Sequence, residues 1–237
     1  QALICPDQML ACSSGVDTLL NIGGITHTGE RFILTESCWG GWGGRRHQDG
    51  IDFMTPPSHN NSNTPIEVNE QMYPEIVYKS YGFVPDTEGA GRHRGAVAVV
   101  REWVYQGGEG AILQLRVDRR STGPYGIDGG LPGAPLKATV NLGKASERDT
   151  GKTTSPLCSG DTVRIQVAGA GGWGEALTRD PESVLQDVRN EFVTRARARN
   201  VYGVVIRHDT LSVDRDATIA LRASRRATTS LENSPHG

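Results

Sequence analysis

Glycine sets the terms for this chain. It supplies 30 of the 237 residues, well above the usual ~7%. It also falls in clusters: Gly40 to Gly44 around Trp42, Gly107 to Gly110, five between Gly123 and Gly133, and Gly169 to Gly174 around Trp173. A residue without Cβ lets the chain turn sharply and lets two backbones approach closely, and it weakens helices. Such a sequence excludes a helical bundle and points to short strands joined by glycine turns.

The strand-forming runs agree. Phe32-Ile33-Leu34, Val97 to Val100, Ile112 to Val117, Ala138-Thr139-Val140 and Thr162 to Val167 are rich in β-formers between turn signals. Val201 to Ile206 and Ala217 to Leu221 read as further strands. Ile66 to Tyr81 carries scattered apolar residues, and Pro74 interrupts any long helix there. Residues 55–65 are loop by composition. One helix is clear. Asp180 suits its N-cap, Pro181 its first position and Glu182 its dipole. Leu185, Val188 and Phe192, with Val184 beside them, then form an apolar stripe. Arginines crowd its last turn, and Asn200 can cap it. The expected fold is α+β, predominantly β, with glycine-rich loops and this one well-defined helix toward the C-terminus. Residues 1–222 form the folded portion, with room for a sub-boundary near 85–95, and 223–237 form a flexible tail.

Charge and composition exclude several functions. Lys and Arg number 25 and Asp and Glu 27, for a net charge of -2, so no basic footprint for nucleic acid exists. The arginines at 195, 197, 199, 225 and 226 read as helix ends and solvated surface. No apolar run approaches the ~20 residues that span a bilayer, and no basic-then-apolar leader opens the chain. Gln1 is an odd first residue and points to a processed or cut segment. Cys5, Cys12, Cys38 and Cys158 show no C-x-x-C spacing, and they read as free thiols in a reducing, cytoplasmic setting.

The chemical motifs are sparse. No G-x-S-x-G elbow and no P-loop occur. Gly169-Ala170-Gly171-Gly172-Trp173-Gly174 fits G-x-G-x-x-G, but the helix cap lies six residues later at Asp180. A dinucleotide site needs the helix to begin inside the motif, so the reading is a glycine turn with Trp173 as anchor. Asp49, His59, Glu67 and Glu70 could form an acid/base or metal cluster, with Glu67 and Glu70 on one helix face. Solvated loop residues explain the same pattern, and no ligand spacing supports a metal.

From Gly41-Trp42-Gly43-Gly44-Arg45-Arg46-His47-Gln48-Asp49-Gly50 onward the chain resembles the hydantoinase B family, which includes part of 5-oxoprolinase and subunits of ATP-dependent ketone carboxylases. Asn63-Thr64-Pro65-Ile66-Glu67-Val68-Asn69-Glu70, Pro85 to Gly95, Gly171 to Gly174, Arg179-Asp180-Pro181-Glu182 and Tyr202-Gly203-Val204-Val205 continue the likeness. Arg45-Arg46-His47 and Thr87-Glu88 depart from the family's usual residues. The resemblance implies a C-terminal half of a subunit about twice as long. It implies an ATP-dependent amidohydrolase of cyclic amides such as hydantoin or 5-oxoproline, active only in complex. ATP and Mg²⁺ would act through a kinase-like hydantoinase A-type partner. A divalent metal, Zn or Mn, would sit in the N-terminal half of the B-type subunit, with no metal ligand in this chain. On this likeness the small-molecule substrate would meet Arg45, Arg46 and Asp49 of the glycine loop, where Arg45 or Arg46 could neutralise a phosphate or carboxylate, and Glu67 and Glu70, which could orient a ligand. A ketone carboxylase subunit and a non-catalytic assembly subunit are the competing readings.

Overall fold

A computed structural model describes residues 5, 8–15, 18–54, 65–108 and 110–232, with side chains through 227. His59 and nearly all of the 55–65 loop fall outside the described residues. Two antiparallel sheets form the body. The first has the order β2-β1-β5-β8 and is built from β1 (Leu19–Ile25), β2 (Arg31–Ser37), β5 (Ala111–Arg116) and β8 (Thr153–Leu157). The second has the order β3-β4-β9-β6-β7. It comprises β3 (Ile76–Val84), β4 (Ala98–Tyr105), β6 (Lys137–Val140), β7 (Arg148–Asp149) and β9 (Thr162–Gln166). Period-two alternation explains how the sheets meet. In β5 every second residue is buried, and Leu113 and Leu115 join Leu20, Ile22 and Leu34 on the inner face of the first sheet. Trp103, Tyr105, Ile165 and Val140 of the second sheet complete the same core. Pro156, which cannot donate to a ladder, sits in β8 at a sheet edge.

The α+β, mostly-sheet class holds, but the helices exceed the one expected. α1 (Ile66–Met72) and β3 divide the stretch that the sequence left unassigned. The expected 180–200 helix is two. α2 (Pro181–Arg189) starts at Asp180, whose carboxylate accepts the Ser183 N–H at 3.2 Å. It stops at Asn190, and Glu191 then takes φ +60°. Phe192 continues the helical spacing yet lies past the helix end, packed edge-on against Phe83 at 5.2 Å. Thr194 caps α3 (Arg195–Asn200), held in turn by two 2.7 Å hydrogen bonds to Asp86. Val201 to Ile206 is not a strand. It has a single bridge partner, Ile206 to Val213, and Tyr202 and Val204 are buried in a second core with Ala90, Val184, Val193 and Ala198. The strand expected at 217–221 is helical, part of α4 (Arg215–Glu232), in which the expected tail also begins. No helix among the described residues is long and apolar enough to cross a membrane.

A glycine-rich segment follows β9. Every N–H from Gly169 to Gly174 donates to a chain carbonyl: those of Ala134, Ala96, Cys12, Leu131, His93 and Ile127 in order. A Cβ on Gly171 would run into the Tyr125 carbonyl, and one on Gly172 into that of Ala90. The G-x-G-x-x-G segment is therefore a backbone junction. Its donors are spent within the chain, so it cradles no phosphate.

Candidate functional site

The junction fixes the two neighbours that build the site. Residues 92 and 93 pair with Trp173 and Gly174: Arg92 N–H donates to the Gly174 carbonyl (3.1 Å), and His93 and Trp173 exchange both bonds (3.0 and 2.8 Å). The loop after Gly44 is closed by Arg45. Its N–H meets the Gln48 carbonyl (2.9 Å), and its guanidinium donates to the Asp49 carbonyl (2.8 Å).

Three carboxylates and two guanidinium groups then alternate in one chain. Asp52 binds Arg94 through two bonds of 2.8 and 3.0 Å and also accepts the Val97 N–H (2.9 Å). Arg94 Nε donates to Asp187 Oδ1 (2.9 Å), and Arg179 Nη2 donates to Asp187 Oδ2 (2.8 Å). Arg179 binds Asp49 through both terminal nitrogens, at 2.6 and 2.7 Å. Arg94, Arg179 and Asp187 are each no more than 5% exposed, so these bonds are barely screened. Burial pushes the Asp49 carboxyl up, but the Arg179 bond and charge, with Arg94, hold it below the usual range. The network ties the loop at 49–52 to the start of β4 and to α2. Arg94 also lies over the Phe192 ring at 5.0 Å, which accounts for the placement of that residue beyond the helix.

Beside this network open two adjoining polar hollows of about 460 and 490 Å³. His47, Arg92 and His93 line both. Arg46, Asp128 and Trp173 complete one, and Asp49, Thr178 and Ser183 are among the residues completing the other. Burial lowers the His93 pKa, and the charges of Arg179, Arg92 and His47 lower it further against the pull of Asp49, whose Oδ1 lies 3.8 Å from Nδ1. The ring is neutral at neutral pH and can accept a proton or a hydrogen bond in the hollow.

The residues singled out from sequence divide accordingly. Arg45, Arg46 and Asp49 come together at this cleft: Arg46 lines it, while Arg45 and Asp49 hold its wall. Glu67 and Glu70 line neither hollow and bond to none of the network. Glu67 is exposed, and Glu70 accepts the Tyr78 N–H (2.8 Å) beside a bulge in β3. Arg92, His93, Arg94, Arg179 and Asp187 were missed. The available signal was an aspartate set between Leu185 and Val188 on an apolar helix face, which a fold buries only when an arginine meets it.

Two other polar clusters are closed. Glu36 accepts from Tyr78 (2.6 Å), Asn69 (3.0 Å) and Arg101 (3.2 Å). Glu88, fully buried, accepts from Arg197 (2.7 Å) and Tyr202 (2.9 Å). They serve packing, because every partner is internal.

Residues 1–176 match the family model described as Hydantoinase B/oxoprolinase. The chain belongs to that family. An uncharacterized Methanocaldococcus jannaschii protein is 34% identical over 219 residues, covering 92% of this chain and 38% of its own length. The B-type subunit of a putative D-/L-hydantoinase from a Pseudomonas species is 28% identical, covering 93% and 37%. This hydantoinase B/oxoprolinase chain thus spans under two-fifths of the relatives it matches. Its fold superposes on nucleotide-free acetone carboxylase (TM-score 0.78, 19% identity, 95% of this chain and 34% of that one). It also superposes on the ATP-dependent caprolactamase of Pseudomonas jessenii (TM-score 0.75, 23% identity, 94% and 40%).

Proposed function

We propose that this chain is the C-terminal portion of a hydantoinase B-type subunit in a cytoplasmic, ATP-dependent hydrolase of cyclic amides. The observation that carries the reading is the family match over residues 1–176, joined to 28% identity with the B-type component of a putative hydantoinase along nearly the whole chain. A hydantoinase A-type partner would bind ATP and Mg²⁺. Phosphorylation of the amide oxygen there would turn a poor electrophile into one with a good leaving group.

A catalytic metal does not fit the described residues of this chain. Among the described residues no three His, Cys, Asp or Glu side chains converge as ligands, and Asp49, Asp52 and Asp187 are each committed to arginine. A Zn or Mn site would belong to the N-terminal half of the subunit, and no step here passes through it. This chain's own contribution is the rigid wall of the cleft. Arg45 and Asp49 position the loop, Arg46, His47, Arg92 and His93 face the small molecule, and Glu70 pins α1 to β3. Glu67, exposed on α1 and outside both hollows, has no contact with this wall.

The test is turnover by the complete complex, purified with its ATP-binding partner and the rest of the subunit. The expected result is ATP-coupled ring opening of hydantoin, 5-oxoproline or a lactam without bicarbonate. ATP hydrolysis that requires bicarbonate and a ketone would instead mark a carboxylase. Unchanged turnover after Arg45→Ala and Glu67→Ala, together with loss of assembly, would mark a purely structural role.

A further inference from the structure

We propose that the two hollows form one binding site for the oxyanion of a small molecule, a carboxylate or a phosphoryl group, gripped by Arg92 with Arg46, His47 and His93. The inference rests on the reading above that these four residues face the small molecule and names the chemistry they would recognise; its test reads binding, not turnover, so it stands whether the complex opens amides or carboxylates ketones.

Four observations carry it. The first is the state of Arg92. Its side chain is exposed and, among the described residues, makes no hydrogen bond or ion pair, whereas Arg45, Arg94 and Arg179 around it are all engaged. A guanidinium fork matches the paired oxygens of a carboxylate or phosphate.

The second is its anchorage. Arg92 N–H is bonded to Gly174, and its carbonyl accepts Arg179 Nη1 at 3.1 Å, so the backbone beneath the free side chain is fixed at both ends. A side chain held on an ordered stem loses less entropy on binding.

The third is the charge balance. Of the neighbouring acids, Asp49 is neutralised by two bonds from Arg179 and one from the Arg94 N–H, and Asp180 is occupied by the first turn of α2. Among the described lining residues, Asp128 is the remaining acid, at the rim of one hollow. At His93, burial is the main cause that disfavours protonation; Asp49 opposes it, and the charges of Arg179, Arg92 and His47 add to it.

The fourth is shape. Gly174 lines the hollow at φ +71°, and a Cβ there would press on Arg92 Cβ at 3.1 Å, so only glycine keeps the floor open beneath the arginine. Trp173 beside it offers an apolar face for the organic body that carries the anion.

The experiment titrates the full chain, at constant ionic strength, with inorganic phosphate in one arm and acetate in the other. Binding is read by calorimetry and by the imidazole signals of His93. The expected result is saturable binding of at least one probe, with the His93 titration midpoint moving upward as the anion cancels the surrounding charge. Arg92→Gln should weaken binding roughly tenfold, the loss of one charge-assisted contact, and Arg92→Lys should restore part of it. Arg120→Gln, at a surface pair with Asp149, should change nothing. Saturation by phosphate alone assigns a phosphoryl ligand, and by acetate alone a carboxylate. Absence of saturation with both probes, or an unchanged affinity in Arg92→Gln, overturns the proposal.

Discussion

Replacing Asp187 with asparagine keeps the shape of the side chain and removes the charge that joins two buried arginines. Its oxygens accept from Arg94 Nε at 2.9 Å and from Arg179 Nη2 at 2.8 Å, and the residue is 5% exposed. The amide keeps one acceptor and turns an NH₂ toward the other guanidinium. Hydrogen bonds to charged groups contribute about 1.5–3 kcal/mol each. Breaking a buried pair costs about 3–5 kcal/mol when an uncompensated charge remains. Here Arg94 keeps Asp52 and Arg179 keeps Asp49, so the lower end applies and the expected cost is about 3 kcal/mol. In a chain of this size that is a fall in Tm of roughly 6–12 °C. Urea unfolding with and without about 0.5 M salt measures it, and the cost should persist in salt because the groups are buried. Arg94→Met, which leaves three carboxylates facing one guanidinium, should cost more, about 5 kcal/mol. A loss below about 1 kcal/mol for Asp187→Asn, or one that salt abolishes, would refute the idea that this network holds the cleft wall.

Gly171→Ala should cost about 3 kcal/mol or more by urea unfolding, since its Cβ collides with backbone, while Gly143→Ala, strained only by φ +76° in open space, should cost about 1 kcal/mol. Similar costs at the two sites would contradict the junction. Burial pushes the Cys38 thiol up to about 12, so a disulfide reagent near pH 8 should modify exposed Cys158 at once and Cys38 only after unfolding. Rapid native labelling of Cys38 would disprove its burial. Burial also raises the Glu88 carboxyl above 4.5 despite Arg197 and Tyr202. A raised folded value means that its contribution is complete below the unfolded value and is lost as pH rises. The stability of Glu88→Gln relative to the parent should therefore improve from about pH 5 to about pH 8, and a gap moving the other way would show that the arginine outweighs burial.

Much of the sheet was legible because its signal is local. The runs at 97–100, 112–117, 138–140 and 162–167 fall in β4, β5, β6 and β9 or within a residue of their ends, since alternating β-formers need no distant information. The errors lie where distant contacts decide. Phe192 extends the α2 stripe in sequence, but Phe83 and Arg94 draw it past a helix that has already ended. Val201 to Ile206 carries β-formers without a neighbouring strand to pair with, and Tyr202 instead turns inward to Glu88. Ala217 to Leu221 is too short to separate strand from helix by composition. The cleft was half visible. The glycine loop led to Arg45, Arg46 and Asp49, but the partners of Asp49 lie 45 residues away at Arg94 and 130 away at Arg179. No spacing rule reaches across that distance.

The same long reach has a consequence for how the protein is made. Asp49 and Asp52 leave the ribosome well before Asp187 exists, so the two sheets can assemble while the mouth of the cleft still lacks its keystone. A nascent chain halted before α2 would carry Arg94 with Asp52 but without Asp187, and an Asp49 still waiting for Arg179. Completion of the cleft wall is thereby postponed until α2 has been made.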